Sequence, residues 1–327
     1  MRHLVSSPSP PDFPTRPAPT LTVIIPTKGR PGALSRTLAT LLAQTRPAEQ
    51  LIIVDQSPIC SRRDCRQLHA AASRPPQWLY LHEPALNGGA AARNRAMAFA
   101  RGDIWLFLDD DVELERDFVA ALLAAYQCQA GAIGMAGLIT NYPAPTWRRR
   151  GWDALFRRGL FRDDRQPLYW RAARLRSPAP LPVSRFSGSA MSFRAAAIGG
   201  LRFDPRLTGV SNGEDVAFCL ALTGGGPGLF VAPCARFRHL RDPAGRSREH
   251  WVHQTARDAW FLFLSRRSAA QERTERIHLA WLECGLALGA GLSAARHRSW
   301  SPLRALASGK REAREVIRRA PAAAIPG

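Results

Sequence analysis

Short apolar runs alternate with helical patterns along the first 126 residues. Four runs are short enough to be buried strands, and they cover residues 21–25, 51–54, 78–81 and 104–108. Leucines at helical spacing follow the first run, residues 88–100 are rich in alanine, and a further helix is predicted to end near Tyr126. Alternating strands and helices with short connections predict an α/β fold with a mostly parallel sheet flanked by helices.

The second half of the chain has a less regular pattern. Residues 133–139 are predicted to form a strand, and residues 143–185, rich in proline, arginine and tryptophan, are predicted to be a long surface excursion. Regular structure is predicted again at residues 188–193. A helix is predicted to begin near Gly213, and a last strand is predicted at residues 230–232. From residue 247 onward the chain is predicted to be helical and strongly basic.

The amino-acid composition gives the chain a strong positive charge. The formal net charge is +20, and only Lys28 and Lys310 are lysines, so arginine carries nearly all of it. This preference for arginine over lysine is typical of a GC-rich genome. The positive electrostatic field of the protein nevertheless favours binding to nucleic acid, acidic lipid headgroups or phosphorylated substrates. The six cysteines form no CxxC pair, which indicates a reduced, cytoplasmic protein.

The N-terminus and the most apolar C-terminal stretch both bear on localisation. Residues 1–20 are rich in proline and serine and lack the apolar core of a signal peptide, so they predict a disordered leader. Glu283 and several glycines interrupt residues 279–295. No run therefore reaches the roughly 18–20 apolar residues of a clear membrane span.

Asp109, Asp110 and Asp111 directly follow the fourth apolar run. Ligands bind beyond the carboxyl ends of parallel strands, where Thr27 and Asp55 also end their runs. Three adjacent acids repel one another unless a cation or arginines offset them, and hard cations such as Mg²⁺ or Mn²⁺ prefer carboxylate and phosphate oxygens. A solvated loop or a cluster at a helix N-terminus is the alternative interpretation.

Five short motifs occur in the order found in family 2 glycosyltransferases: LTVIIPT at 21–27, IVDQS at 53–57, NGGAAARN at 87–94, FLDDDV at 107–112 and GEDV at 213–216. Residues 21–239 thus resemble this family of inverting enzymes with the GT-A fold. The resemblance implies a nucleotide-sugar-binding half at 21–126 and an acceptor-binding, catalytic half at 127–243. A basic helical C-terminal extension at 244–327 would follow.

The resemblance also implies a donor-binding site, formed by Pro26, Thr27, Arg30, Asp55, Arg93, Asp109 and Asp110. Pro26 and Thr27 would line the nucleotide base, Asp55 would hydrogen-bond it, and Asp109 would contact the ribose. The alternative for Asp55 is an ordinary turn residue at the end of a strand. The alternative for Arg93 is a solvated arginine on a helix.

The implied metal ligands are Asp111 and His239, and the implied cofactor is Mg²⁺ or Mn²⁺. A purely structural role for His239 is the alternative. Arg238 and Arg241, on either side of it, would then be candidates for binding the diphosphate.

Asp215, in the Glu214-Asp215 pair, matches the residue that serves as the catalytic base in the family. At a helix N-terminus the dipole is expected to keep Asp215 ionised, as a base must be. An ordinary pair of acids at a helix start is the alternative. Gly188, Ser189 and Glu214 are implied on the acceptor side.

The implied activity is metal-dependent, inverting transfer of a hexosyl or deoxyhexosyl group from a nucleotide-diphosphate sugar. The acceptor would be a saccharide or a lipid-linked molecule in bacterial cell-surface polysaccharide or glycolipid synthesis. The arginines that follow residues 279–295 suit peripheral binding to the anionic inner face of the cell membrane, although a helical cap on the core with a solvated basic tail is the alternative.

Two other function classes, a sugar nucleotidyltransferase and a nucleic-acid-binding protein, fit the sequence less well than this activity. A sugar nucleotidyltransferase needs a glycine-rich basic loop after the first strand, and residues 26–31 contain too few glycines. A nucleic-acid-binding protein interleaves basic and aromatic residues, and the aromatic content is only 8%. No nucleic-acid partner is therefore expected.

Overall fold

A computed structural model describes residues 18–175, 177–207, 213–240, 248–265 and 269–319. Residues 1–17 of the predicted leader lie outside the described residues, and so does Arg241.

Within the described residues, nine strands form one mixed sheet with the order β3-β2-β1-β4-β8-β6-β9-β5, and β7 pairs with β9. The strands are β1 Leu21–Thr27, β2 Gln50–Asp55, β3 Gln77–His82, β4 Ile104–Leu108, β5 Val112–Leu114, β6 Gly134–Ile139, β7 Leu181–Val183, β8 Ala190–Arg194 and β9 Leu229–His239.

Helices flank the sheet and extend beyond its last strand. They are α1 Pro31–Leu42, α2 Arg62–Ala70, α3 Gly89–Met97, α4 Phe118–Cys128, α5 Trp147–Phe156, α6 Gln166–Trp170, α7 Ala195–Ile198, α8 Glu214–Thr223, α9 Arg248–Ser265, α10 Ala269–His297 and α11 Ser301–Arg319. A short 3-10 helix, Gly159–Phe161, lies between α5 and α6.

The four strands predicted in the first half are β1 to β4, and they pair in parallel. Val23, Ile24 and Ile52 have no exposed surface, because layers cover both faces of the sheet. Beyond β4 the pairing changes, since β8 is antiparallel to both β4 and β6. This antiparallel strand begins next to the acid triplet, because its first residue, Ala190, pairs with Leu108.

The predicted surface excursion at residues 143–185 is wrong. This segment contains α5, the 3-10 helix, α6 and β7, and it buries Phe156, Leu160 and Tyr169. Trp152, Phe156 and Leu160 recur at a spacing of four residues, which is a helical pattern. The many arginines between these apolar residues make the helical pattern hard to recognise in the sequence.

The predicted C-terminal helical extension is present as α9, α10 and α11. A second apolar cluster joins it to the 3-10 helix and α8, and its members are Leu160, Phe161, Val216, Ala259, Leu262, Leu279 and Leu282. The proposed boundary at residue 244 therefore separates two parts that share a core.

One part of α10, Arg273–His297, is the described segment whose length and composition would allow it to cross a membrane. A third of its most apolar window is buried in the protein. Glu283 lies within it, 2.7 Å from Lys310 Nζ, and accepts a hydrogen bond from Trp260 Nε1 at 2.8 Å. The sequence interpretation of residues 279–295 as too short for a span missed the start of this helix.

Candidate active site

The acid triplet lies between β4 and β5, where backbone hydrogen bonds from two other strands hold it. Asp109 N donates to Ser189 O at 3.1 Å, and Leu240 N donates to Asp111 O at 2.8 Å. The triplet is thereby fixed next to the ends of β8 and β9.

Arg30 offsets the repulsion within the triplet. Its Nη2 lies 2.5 Å from Asp110 Oδ1, and its Nη1 lies 3.2 Å from Asp111 Oδ2. Thr27 donates to Asp110 Oδ2 at 2.6 Å, and the side chain of Asp110 has no exposed surface. Burial raises the pKa of Asp110 to about 7, against the lowering effects of Arg30 and Thr27. Asp110 is thus enclosed by protein groups.

Asp109, Asp111 and His239 form a cluster of three potential metal ligands, whose ligand atoms lie within 4.8 Å of one another. His239 Nε2 is 3.1 Å from Asp111 Oδ1 and 3.9 Å from Asp109 Oδ2. The strand register explains the arrangement, because Val112 on β5 pairs with His239 on β9. β9 continues well beyond the predicted strand at residues 230–232, so His239 ends the strand itself. The two carboxylates suit Mg²⁺ or Mn²⁺.

Arg93 on α3 is a buried bridge between the two acidic groups of the site. Its Nη2 lies 3.2 Å from Asp109 Oδ1, and its Nη1 lies 3.0 Å from Glu214 Oε1. Only 3% of the Arg93 side chain is exposed, and its guanidinium also lies over the ring of Phe203. The interpretation as a solvated helix arginine is therefore wrong.

Asp215 is buried at the first turn of α8, after Gly213. Its Oδ2 accepts the backbone N–H of Gly188 at 2.7 Å, and its Oδ1 accepts the N–H of Val216 at 2.7 Å. Burial and the nearby Glu214 carboxylate raise the pKa of Asp215, although Arg165 and the two N–H groups act in the opposite direction. Burial thus outweighs the helix N-terminus that was expected to keep this acid ionised.

Arg165, on the loop before α6, also lies near the Asp215 carboxylate. Its Nη1 lies 3.9 Å from Asp215 Oδ2, and it also donates to the carbonyl oxygen of Phe186. Asp163 holds the guanidinium through two bonds of 2.9 Å, from Nε to Oδ1 and from Nη2 to Oδ2. The segment interpreted as a surface excursion thus supplies a cation beside the candidate base.

Asp55 is fully buried, and protein donors occupy its carboxylate. Oδ1 accepts from Ser57 N at 2.9 Å, and Oδ2 accepts from Tyr80 Oη at 2.5 Å and from Ser61 N at 3.1 Å. Burial raises the pKa of Asp55, but the hydrogen bonds from Ser57, Tyr80 and Ser61 outweigh it and leave the pKa lowered. Asp55 therefore anchors the loop after β2.

A cavity of about 1380 Å³ runs past most of the predicted site residues. Those that line it are Pro26, Thr27, Arg30, Arg93, Asp109, Asp111, Gly188, Glu214, Asp215 and His239. Asp55, Asp110 and Ser189 do not line it. Ser189 is 1% exposed, and its Oγ lies 3.1 Å from Ser187 Oγ. Arg238 pairs with Glu113 at 2.8 Å, across the strands β5 and β9.

Sequence reasoning missed several cavity residues. Gln56 lines the cavity and accepts a hydrogen bond from Gly88 N, which opens α3. Arg165 and Arg185 also line it. The sequence signal for these two is their position: Arg165 directly follows Asp163 and Asp164, and Arg185 lies three residues before Gly188, within a stretch dense in arginine.

Residues 22–197 match the family described as Glycosyl transferase family 2. The chain is 26% identical over 147 residues to the putative colanic acid biosynthesis glycosyl transferase WcaA of Escherichia coli, a match that covers 40% of this chain and 52% of the relative. It is 31% identical over 141 residues to the galactofuranosyltransferase GlfT1 of Mycobacterium tuberculosis, covering 39% and 45%. The chain thus spans about half the length of the relatives it matches.

Solved structures with the same fold have low sequence identity to this chain. The mannosyltransferase PcManGT from Pyrobaculum calidifontis, in complex with GDP-Man and Mn²⁺, has a TM-score of 0.55 at 15% identity, covering 95% of this chain and 90% of that one. Staphylococcus aureus TarS has a TM-score of 0.51 at 16% identity, covering 80% and 42%. The predicted GT-A fold is confirmed by these similarities.

Proposed function

The chain belongs to glycosyl transferase family 2, and from this premise we propose that it is an inverting, metal-dependent glycosyltransferase. It moves a hexosyl or deoxyhexosyl group from a nucleotide-diphosphate sugar to an acceptor hydroxyl. The observation that carries the proposal is the convergence of the Asp109–Asp111–His239 cluster and the buried Asp215 on one cavity, with Arg93 linking Asp109 to Glu214.

The donor occupies the part of the cavity beside β1. Pro26 and Thr27 line the nucleotide base, and Asp109 contacts the ribose. Arg30 lines the same region and is oriented by Asp110, so it approaches the diphosphate as a positioned cation. Asp55 acts on the base through the loop that it anchors, since its own carboxylate is enclosed.

Asp111 and His239 would hold Mg²⁺ or Mn²⁺. PcManGT, which has the same fold, was solved with GDP-Man and Mn²⁺, and this supports the assignment. When bound, the metal stabilises the negative charge of the leaving nucleotide diphosphate. Arg30 keeps one oxygen of Asp111 in place, while the other oxygen faces His239.

Asp215 is the general base. As the acceptor oxygen bonds to the anomeric carbon, the bond from that carbon to the diphosphate oxygen breaks, and the acceptor proton passes to the Asp215 carboxylate. The leaving diphosphate takes the electrons of the broken bond, and because the acceptor attacks the anomeric carbon on the face opposite to the diphosphate, the anomeric configuration inverts. The N–H groups of Gly188 and Val216 orient the two carboxylate oxygens, and the positive charge of Arg165 lies 3.9 Å from Oδ2.

The biological setting is bacterial cell-surface polysaccharide or glycolipid synthesis. WcaA is named for colanic acid biosynthesis, and a further relative, TuaG of Bacillus subtilis, is named for teichuronic acid biosynthesis. The family match favours this assignment over a sugar nucleotidyltransferase or a nucleic-acid-binding protein.

The enzyme acts in the cytoplasm, bound peripherally to the inner face of the membrane. Trp147, Leu288 and Leu292 on α5 and α10 are at least half exposed, and arginines lie near the ends of both helices. Flotation with phosphatidylglycerol vesicles compares wild type with Leu292→Ser. Equal vesicle binding by both proteins would contradict this use of α10.

A donor screen tests the proposed function. UDP-, GDP- and dTDP-sugars are incubated with the protein and Mn²⁺, and release of the nucleoside diphosphate is measured. We expect one nucleotide class to be hydrolysed slowly in the absence of acceptor, and EDTA to stop the release. No release and no thermal stabilisation with any donor would contradict the proposal.

A further inference from the structure

An arginine and a short loop both contact the carboxylate of the candidate base. Arg165 Nη1 lies 3.9 Å from Asp215 Oδ2, and the same nitrogen donates to the carbonyl oxygen of Phe186. Two residues further along that loop, Gly188 donates its backbone N–H to the same Asp215 oxygen at 2.7 Å. Arg165, the loop at residues 186–188 and Asp215 are therefore each connected to the other two.

Asp163 fixes the guanidinium of Arg165. It accepts two bonds of 2.9 Å, from Nε to Oδ1 and from Nη2 to Oδ2, and such a paired arrangement sets both the position and the direction of the side chain. Burial disfavours the charge of Arg165, but the Asp163 carboxylate outweighs burial and raises the pKa of Arg165. Arg165 is therefore a permanent cation whose orientation does not depend on Asp215.

Apolar packing holds the backbone on either side of Arg165. Leu160 and Phe161, in the 3-10 helix before it, pack in one cluster with Val216, the residue that follows Asp215. Tyr169, on α6 after it, is only 4% exposed. The segment that carries Arg165 is thus attached to the start of α8 by its own core contacts.

The charge of Arg165 acts on Asp215 more directly than that of any other described cation. Among the described residues, Arg165 is the only cation with a nitrogen as close as 3.9 Å to the Asp215 carboxylate, whereas Arg93 pairs with Asp109 and Glu214. Burial raises the pKa of Asp215, and Arg165 is the strongest of the groups that act against this increase. Without Arg165 the base would stay protonated up to a higher pH.

We propose that Arg165, held by Asp163, is a positioning residue for Asp215, which it orients through the loop at residues 186–188 and supplies with a fixed counter-charge. This inference rests on the proposed function and adds a residue that acts through the base. When the acceptor proton passes to Asp215, the negative charge of that carboxylate is lost. Arg165 then still has the Asp163 carboxylate as its partner, so transfer does not leave an unpaired buried cation.

Other charged or titratable groups also lie near Asp215, and the test must separate Arg165 from them. Burial raises the pKa values of Tyr169 and Cys219, so both stay neutral near pH 7. Loss of the Glu214 charge would move the acidic limb of the rate profile to lower pH, which is opposite to the effect of losing Arg165. The groups that lie near Asp215 or next to its turn are Glu214 and Cys219 on α8, Arg93 on α3, Tyr169 on α6 and Asp258 on α9.

The first experiment is the pH profile of nucleoside diphosphate release, with water as the acceptor, Mn²⁺ present and the donor that the screen identifies. In Arg165→Gln we expect the acidic limb to move up by about one pH unit, because a neighbouring opposite charge lowers the pKa of a carboxylate by about that much or more. The rate on the plateau above the limb should fall at least about tenfold, because the carboxylate loses its fixed orientation.

Two further variants separate the charge of Arg165 from its shape. Arg165→Lys keeps the charge but cannot form the paired bonds to Asp163, so its limb should stay close to that of the wild type while its plateau falls. Arg162→Gln is the matched control, an exposed arginine on the same segment that does not line the cavity, and it should change neither. An unmoved limb in Arg165→Gln, even with a lowered plateau, would show a merely structural role and overturn the proposal.

The second experiment needs no donor. Aspartate labelled with carbon-13 at the side-chain carboxyl is titrated by NMR, and the signal missing in Asp215→Asn identifies the base. Its midpoint should rise in Arg165→Gln, or in Arg165→Met if the glutamine variant does not fold, and should stay nearly unchanged in Arg165→Lys. Equal midpoints in the wild type and the neutral variant would overturn the counter-charge. A wild-type plateau in Arg165→Lys would overturn the orienting role, even if neither neutral variant folds.

The two experiments also distinguish this inference from the proposed function. If the wild type releases no nucleoside diphosphate from any donor, the proposed function fails, and the NMR midpoints still report on Arg165. If release persists but the limb and the midpoint are the same with and without the Arg165 charge, this inference alone is wrong.

Discussion

The backbone N–H of Gly188 lies 2.7 Å from Asp215 Oδ2 and donates a hydrogen bond to it. This bond ties the loop before β8 to the first turn of α8, two segments 27 residues apart in the chain. A carboxylate held this way has a fixed orientation toward the cavity. The surroundings of Asp215 therefore fix the orientation of its carboxylate and do not lower its pKa.

Replacement of Asp215 by asparagine should abolish transfer while the protein still folds and binds donor. Asparagine keeps the shape and removes the proton affinity, and loss of a general base typically costs ~10²–10⁴-fold in rate. Transfer rate and donor affinity are measured on the same protein, with Glu214→Gln as the comparison. A rate within a factor of a few of wild type would remove Asp215 from the mechanism, and a larger loss in Glu214→Gln would move the role to that residue.

The pH dependence of turnover should reflect the raised pKa of Asp215. A base acts only when deprotonated, so the rate should fall as the pH drops through this pKa, at a higher pH than for an ordinary aspartate. Among the described residues, the charged or titratable groups that interact with it include Glu214, Arg165, Arg93, Tyr169 and Cys219. Glu214→Gln removes a neighbouring negative charge and should shift the acidic limb of the rate profile to lower pH. An unmoved limb would assign it to another group.

Arg93→Gln should weaken both the fold and the site. It leaves the buried Glu214 and the partly buried Asp109 without their cation, and removal of one partner from a buried pair costs about 3–5 kcal/mol. Urea denaturation and turnover are compared with Arg95→Gln, a more exposed arginine on the same helix that pairs with Glu83. If both variants have the same unfolding midpoint, Arg93 does not act as the bridge described.

Asp55→Ala should destabilise the loop after β2 and raise KM for the donor more than it lowers kcat. Three donors, Ser57 N, Ser61 N and Tyr80 Oη, lose their acceptor, at about 1–3 kcal/mol for each one left unsatisfied. Tyr80→Phe removes one of these bonds and leaves the carboxylate. A KM that rises equally in both variants would indicate that Asp55 acts on the donor only by supporting the loop.

The first half of the fold follows from local pattern, and the second half does not. β1 to β4 are continuous apolar runs, which the sequence displays directly. β5 and β7 have three residues each, too few for a periodic signal. The helix α5 packs on α10 and the helix α6 packs on β6, and such distant packing cannot be predicted from arginine-rich local sequence.

The candidate site, like the fold, could be predicted only in part from the sequence. Asp109, Asp111, Asp215 and His239, which the family resemblance implied, all line one cavity, because each lies at the start or the end of a regular element. The resemblance did not predict that Arg93 would bridge two acids, since Asp109 and Glu214 are 105 residues apart. The same holds for Arg165, which reaches Asp215 only because α5 and α6 fold back over the catalytic half.

Binding of a nucleoside diphosphate with and without metal tests the central claim most directly. Calorimetry with UDP and GDP is performed in Mn²⁺ and in EDTA, on wild type, Asp111→Asn and the exposed control Asp117→Asn. We predict that Mn²⁺ tightens binding by about tenfold or more, equivalent to about 1.4 kcal/mol, in wild type and Asp117→Asn. In Asp111→Asn the two conditions should give equal affinity, because the metal has lost its main carboxylate. Equal affinity in Mn²⁺ and EDTA for the wild type would contradict a metal-dependent glycosyltransferase.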